Sequence, residues 1–109
     1  MASTGCYKTV EEPIDSKWAK KTEEYWSYSK KEDYNKALAI AKEQVSFGES
    51  KYPESVFLAE SYYRLGYAFK DLKDYENAEH YFRLALSMYK TKGITTAHTY
   101  KVLARIDRE

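Results

Sequence analysis

Two histidines and one cysteine are the side chains of this 109-residue sequence that are best suited to chemistry. His80 has Glu76 one helical turn before it, but the sequence contains no His-Glu-x-x-His motif and no Cys/His cluster that would supply three metal ligands. His98 stands apart from both, and Cys6 has no neighbouring base to activate its thiol. We therefore expect no metal site and no cofactor.

Adjacent carboxylates also lack the arrangement that acid–base catalysis needs. Glu11 and Glu12 are consecutive, as are Glu23 and Glu24, and consecutive residues on a helix point in different directions. The four glycines are scattered along the chain, so the sequence contains no Gly-rich loop for phosphate. We therefore expect a protein that is not an enzyme.

Composition favours a protein partner over nucleic acid or membrane. Lys and Arg number 18 against 17 Asp and Glu, so the basic excess that drives binding to nucleic acid is missing. No apolar run approaches the roughly 20 residues that a membrane-spanning helix requires. A single cysteine and no pattern of a secretory signal predict a reducing, cytoplasmic location.

Apolar residues recur at three- and four-residue spacing in five segments, which predicts an all-α protein with five helices. The segments cover approximately residues 16–30, 33–48, 53–72, 74–93 and 96–109. Asp33 and Asp74 are suited to be N-caps, and Gly93 is suited to be a left-handed helix stop. Pro53 is expected in a first helical turn. We expect residues 1–14 to form a flexible segment and 15–109 to form one helical domain.

One short sequence motif occurs twice in this chain. Asp-Tyr-x-x-Ala stands at residues 33–37 and again at 74–78, an offset of 41 residues. The same offset places Arg64 on Arg105 and Leu65 on Ile106, so the fifth helix begins a third copy. Two helices that recur at such a period indicate an α-solenoid, in which antiparallel hairpins bury their apolar stripes against one another. The sequence predicts about two and a half such repeats.

The repeat resembles the tetratricopeptide repeat family. The residues that carry the resemblance are Tyr62, Leu65, Gly66, Phe69, Asp74, Tyr75, Ala78, Phe82 and Ala85. The offset of 41 exceeds the family's usual period of about 34, and the linker FGESKYPESV resembles the longer, kinesin-light-chain-like subclass. The first copy has Lys21, Glu24 and Tyr25 where the pattern expects a large residue, Leu and Gly, which predicts an altered angle or register of the first helix.

This resemblance implies a module that binds a peptide or a partner helix in a concave groove, which the first helix of each hairpin lines. The groove residues that it implies are Thr22, Trp26, Glu60, Tyr63, Tyr67, Lys70, Lys101 and Arg105. The family's clamp for chaperone tails needs Lys and Asn at positions where this chain has Thr22, Trp26, Tyr63 and Tyr67. That class of ligand is therefore disfavoured.

Three other interpretations stay open at this point. The groove aromatics could pack on one another and only complete a small core. The C-terminal half-repeat could dock on a second copy and build a homodimer or a filament. The groove could also hold unfolded segments of a partner protein, as a small chaperone would.

Overall fold

The computed structural model of the protein describes residues 16–93, and this part of the chain forms four α-helices. They are α1 (Ser16–Lys30), α2 (Tyr34–Lys51), α3 (Val56–Asp71) and α4 (Tyr75–Thr91). Each helix packs against the next along the chain. The four helices confirm the all-α prediction, whereas the predicted fifth helix at 96–109 and the segment 1–14 lie outside the described residues.

The two hairpins share the geometry of their internal loop. Glu32 and Lys73, which are 41 residues apart, both have positive φ, at 62° and 66°. The backbone N–H of each following residue, Asp33 or Asp74, donates to the carbonyl five residues earlier, at 2.9 Å in both loops. The repeat that the sequence predicts is therefore present in the backbone conformation as well as in the residue pattern.

Each shared loop ends in an aspartate that caps the next helix. The Asp33 carboxylate accepts a hydrogen bond from the Lys36 N–H at 3.4 Å, and the Asp74 carboxylate accepts one from the Asn77 N–H at 3.3 Å. These bonds satisfy backbone donors that the first helical turn leaves without intrahelical partners.

We expect Asp74→Ala to lower the free energy of unfolding by about 1 kcal/mol, because the cap is lost and nothing in the core changes. Urea denaturation measures this loss. Asp74→Asn is the matched control, since Asn caps as well as Asp. An equal loss from both variants would contradict the capping role.

Two helix boundaries differ from the sequence prediction. α2 does not fade near Gly48 but continues to Lys51, because Gly48 lies buried against α3, where an added Cβ would stand 3.1 Å from Leu58 Cδ1. Pro53 lies in the turn before α3 and not in its first helical turn. The helix begins after Ser55, whose hydroxyl accepts from the Leu58 N–H at 3.0 Å.

In each hairpin core a small residue faces a large one, but the helix that carries the large residue differs between the two hairpins. In the second hairpin Gly66 of α3 lies against Phe82 of α4, and a Cβ at Gly66 would stand 3.0 Å from Phe82 Cδ1. At the equivalent positions of the first hairpin stand Tyr25 on α1 and Ala41 on α2, and both are fully buried in one apolar cluster. Tyr25, which stands where the pattern expects Gly, is therefore accommodated by the small side chain of Ala41. The first hairpin keeps the same loop geometry as the second.

Candidate functional site

Three aromatic rings form a continuous line across α1 and α3. The Trp26 ring meets the Tyr67 ring edge-on with centroids 6.3 Å apart, and the Tyr67 and Tyr63 centroids are 5.9 Å apart. We call these three residues the aromatic row. Trp26 and Tyr67 are equivalent positions of the two repeats, separated by 41 residues. The repeat therefore places like side chains side by side on neighbouring first helices.

Trp26 is the most exposed residue of the aromatic row. The Trp26 side chain is 42% exposed, the largest exposed hydrophobic side chain that residues 16–93 present, while Tyr67 and Tyr63 are half-buried. Tyr63 packs on the core ring of Phe82, with centroids 5.5 Å apart. Trp26 is thus a surface group, and Tyr63 belongs partly to the core.

Charged groups lie at the Tyr67 side of the row. Lys70 Nζ stands 5.5 Å from the centroid of the Tyr67 ring, within range of a cation–π attraction. Burial raises the pKa of the neighbouring Asp71 carboxyl above its usual range, and the positive charge of Lys70 opposes that shift. One cation and one partly buried carboxylate therefore border the row on α3.

Burial also raises the pKa of two tyrosines on α3 and α4. The pKa of Tyr63 is raised to about 12, and that of Tyr89 is raised to about 12. Tyrosine hydroxyls are neutral near neutral pH, and these two stay neutral to a higher pH than usual, so they can donate as well as accept a hydrogen bond.

Thr22, which the resemblance places in the groove, is used inside the protein. Its hydroxyl accepts from Gln44 Nε2 at 2.7 Å and donates to the Trp18 carbonyl at 3.2 Å. Gln44 Nε2 also donates to the Trp18 carbonyl at 3.0 Å. Thr22 therefore joins α1 to α2.

A buried arginine extends this set of contacts to α3. Arg64 Nε donates to Gln44 Oε1 at 3.0 Å, and its guanidinium carbon lies 4.9 Å from the centroid of the Trp18 ring. We call Trp18, Thr22, Gln44 and Arg64 the Gln44 network. Only 7% of Arg64 is exposed, and this burial lowers the pKa of its guanidinium, against the opposing charge of Glu60.

Sequence reasoning missed this network because it treated Arg64 only as a marker of the repeat. The available signal was spacing: Ser61, Arg64 and Ala68 follow one another at three and four residues, as a buried helix face does. The Ser61 hydroxyl indeed lies on that face and accepts from Trp18 Nε1 at 2.9 Å.

The remaining predicted groove residues do not all join the aromatic row. Glu60 is half-buried and lies one helical turn before Arg64, whose pKa its charge raises. Lys70 borders Tyr67, as described above. Lys101 and Arg105 lie outside the described residues, so their place in the groove stays a prediction.

Two surface cavities lie elsewhere on the described helices. One, of about 280 Å³, is lined by Lys17, Trp18, Lys21, Glu43, Gln44 and Phe47. The other, of about 360 Å³, is lined by Glu54, Met88, Thr91 and Lys92. Neither includes a residue of the aromatic row.

Within residues 16–93, no three His, Cys, Asp or Glu side chains stand close enough together to hold a metal ion. His80 is exposed and meets the Tyr81 ring edge-on, with centroids 4.8 Å apart. None of the helices in this range has the length and apolar character needed to cross a membrane.

Two helical hairpins with a common loop, and a line of rings on their first helices, define an α-helical repeat protein. Comparison with known families finds the tetratricopeptide repeat at residues 59–92, which covers most of α3 and all of α4. This match supports the resemblance to the tetratricopeptide repeat family over the second hairpin. No match is found among curated proteins or among solved structures. The kinesin-light-chain-like subclass stays a prediction.

Proposed function

We propose that the protein is a non-catalytic interaction module, an adaptor or scaffold that binds a peptide or helix of a partner protein across the aromatic row. Tetratricopeptide repeats generally bind other proteins. The single observation that supports this surface is the exposure of Trp26 at one end of a continuous line of rings. The first helix of each hairpin contributes to that line.

The physical argument rests on what an exposed, well-supported indole can contribute to binding. Tyr25 is fully buried and meets the Trp26 ring edge-on, with centroids 4.8 Å apart, so one side of the indole is already held in place. A partner that covers the exposed part of the ring gains apolar burial, and few degrees of freedom are lost. Trp and Tyr are the residues that dominate the energetics of protein interfaces.

Alternatively, the rings of the aromatic row could only complete the core. The three residues differ in how much of each ring the core buries. Tyr63 contacts Phe82 and is half-buried, so its ring contributes to packing. Trp26 retains 42% of its surface, which core packing does not use. We therefore expect Trp26 to be the anchor for a partner and Tyr63 to serve packing and binding together.

Affinity capture from source-cell lysate tests the proposal with wild type beside Trp26→Ala. We expect the affinity of the variant for the captured partner to be at least about 30-fold lower, equivalent to about 2 kcal/mol of binding free energy. Its melting temperature should change little. His80→Ala is the matched control, because it removes an exposed ring that also meets a tyrosine edge-on, and it should retain the partner.

Three results would contradict the proposal. Equal retention of the same proteins by wild type and Trp26→Ala would place the interaction on another surface. Retention of further copies of the chain alone, with a dimer in light scattering, would indicate self-assembly. Binding of many unrelated hydrophobic peptides would indicate a chaperone and not an adaptor.

A further inference from the structure

The side chain of Gln44 on α2 links α1 to α3. Gln44 is 1% exposed. Its Nε2 donates to the Thr22 hydroxyl on α1 at 2.7 Å, and its Oε1 accepts from Arg64 Nε on α3 at 3.0 Å. A buried amide that is bonded at both ends holds its partners in place, because breaking either bond leaves a buried polar group without a partner.

The two groups that Gln44 links lie one helical turn from the rings of the aromatic row. Thr22 precedes Trp26 by four residues on α1, and Arg64 precedes Tyr67 by three residues on α3. Residues at these spacings are neighbours on the surface of a helix. The rings of Trp26 and Tyr67 meet with centroids 6.3 Å apart. The bridge through Gln44 and the ring contact therefore join the same two helices, one turn apart.

The direct contact between α1 and α3 is too slight to fix their distance. Within residues 16–93, extensive packing joins consecutive helices, and α1 and α3 are not consecutive. Trp26 is 42% exposed and meets Tyr67 edge-on, so this contact yields easily. Trp18 strengthens the bridge, since its carbonyl accepts from Gln44 Nε2 at 3.0 Å and its Nε1 donates to the Ser61 hydroxyl of α3 at 2.9 Å. The position of α1 relative to α3 therefore depends on buried hydrogen bonds next to the row.

The polar bridge is a departure of the first hairpin from the second. The 41-residue offset places Gln44 on Ala85 and Trp18 on Ala59. Both alanines are fully buried and belong to one apolar cluster. Apolar residues stabilise a core at least as well as a buried polar network of similar volume. The exchange of two alanines for an indole and an amide therefore indicates a role other than core stability.

We propose that Gln44 is a positioning residue for the aromatic row: it holds α1 at the distance from α3 at which the Trp26 and Tyr67 rings form one continuous surface. This inference rests on the proposed function and adds how the binding surface is kept in its binding geometry. Binding groups must be held within about 0.5 Å of that geometry by neighbours that are themselves fixed. Gln44 acts here through Thr22 and Arg64.

Fluorine NMR of protein labelled with fluorotryptophan tests this positioning without a ligand. The chain has two tryptophans, and Trp26→Phe assigns the Trp26 signal. We expect Gln44→Ala to shift or broaden that signal, because α1 then moves relative to Tyr67. Leu84→Ala on α4 is the matched control and should leave the signal in place. An unchanged Trp26 signal in Gln44→Ala, with helical circular dichroism retained, would overturn the proposal.

A second pair of variants keeps the test independent of folding, since Gln44→Ala leaves Arg64 buried without its bond to Gln44. Thr22→Val keeps the shape of the side chain and removes only the hydroxyl that accepts from Gln44. We expect a smaller displacement of the Trp26 signal in the same direction. Thr22→Ser restores a hydroxyl and should return the signal towards its wild-type position. Equal displacement by Val and Ser would also overturn the proposal.

The capture experiment of the proposed function supplies a binding readout. We expect Gln44→Ala to bind the captured partner at least about fivefold more weakly than wild type does, although all three rings of the row are kept. A partner that Trp26→Ala loses and Gln44→Ala binds with wild-type affinity would overturn the positioning role and leave the aromatic row as a binding surface. If Trp26→Ala retains the partner, the proposed function is wrong, and the fluorine signal alone decides whether Gln44 positions the ring.

Discussion

Phe82→Ala should lower the free energy of unfolding by about 3–5 kcal/mol, a large share of the stability of a domain of this size. The Phe82 ring is fully buried and fills the space that the missing side chain of Gly66 leaves between α3 and α4. Alanine would leave a cavity there and remove the surface on which Tyr63 packs. Urea denaturation followed by circular dichroism measures the loss.

Leu84→Ala is the matched control for this prediction, because it shortens a half-buried apolar side chain on the same helix. We expect a clearly smaller loss from it. A second variant, Gly66→Ala, would place a Cβ 3.0 Å from Phe82 Cδ1 and 3.1 Å from the Ala78 carbonyl, and should also destabilise. Its cost should be smaller in the Phe82→Ala background, since one of the two clashes is then relieved. Strict additivity would contradict the complementary packing.

Gln44→Met should lower the free energy of unfolding by about 2–3 kcal/mol, although the side chain keeps its length and its apolar contacts. Gln44 is buried at the centre of the network, where it donates to Trp18 and Thr22 and accepts from Arg64. The substitution leaves the guanidinium of Arg64 buried without the hydrogen bond that its Nε donates to Gln44 Oε1. Hydrogen bonds to charged groups are the ones whose loss costs most.

The neighbouring variant Glu43→Met is the control for Gln44→Met. Glu43 is exposed and pairs with Lys21 at 2.6 Å, and an exposed ion pair contributes about 1 kcal/mol or less. Thermal and urea denaturation should therefore show a clearly larger loss of stability for Gln44→Met than for Glu43→Met. Equal losses would mean that Gln44 contributes no more to stability than a surface residue does. The Gln44 network would then not stabilise the fold.

Local signals in the sequence predicted the elements and their repetition. Asp33 and Asp74 cap helices as expected, because capping depends on a few residues near one helix end. Gly93 has φ of 73°, as its predicted role of left-handed stop requires. The equivalence of Trp26 and Tyr67 followed from the 41-residue offset alone, and the structure places their rings in contact.

The parts that the sequence did not reveal depend on pairs of distant residues. Tyr25 stands where the repeat pattern expects Gly, so the sequence alone indicates a poor match of the first copy to the pattern. The structure shows that Ala41 lies in the same buried cluster and leaves space for the larger ring. The contact between Arg64 and Gln44 joins residues on different helices, and each side chain alone is polar enough to be expected at the surface. Thr22 has the spacing of a groove residue, but its hydroxyl is used by that network.

Site-directed photo-crosslinking tests the central claim most directly. A photoreactive side chain at Glu23, which is exposed one turn before Trp26 on α1, leaves the aromatic row intact. The same group at Ser87, an exposed position of α4, is the control. We predict a covalent adduct with a partner protein from position 23 and none from position 87. Equal adducts from both positions, or adducts with further copies of the chain alone, would contradict the claim that the aromatic row binds a partner.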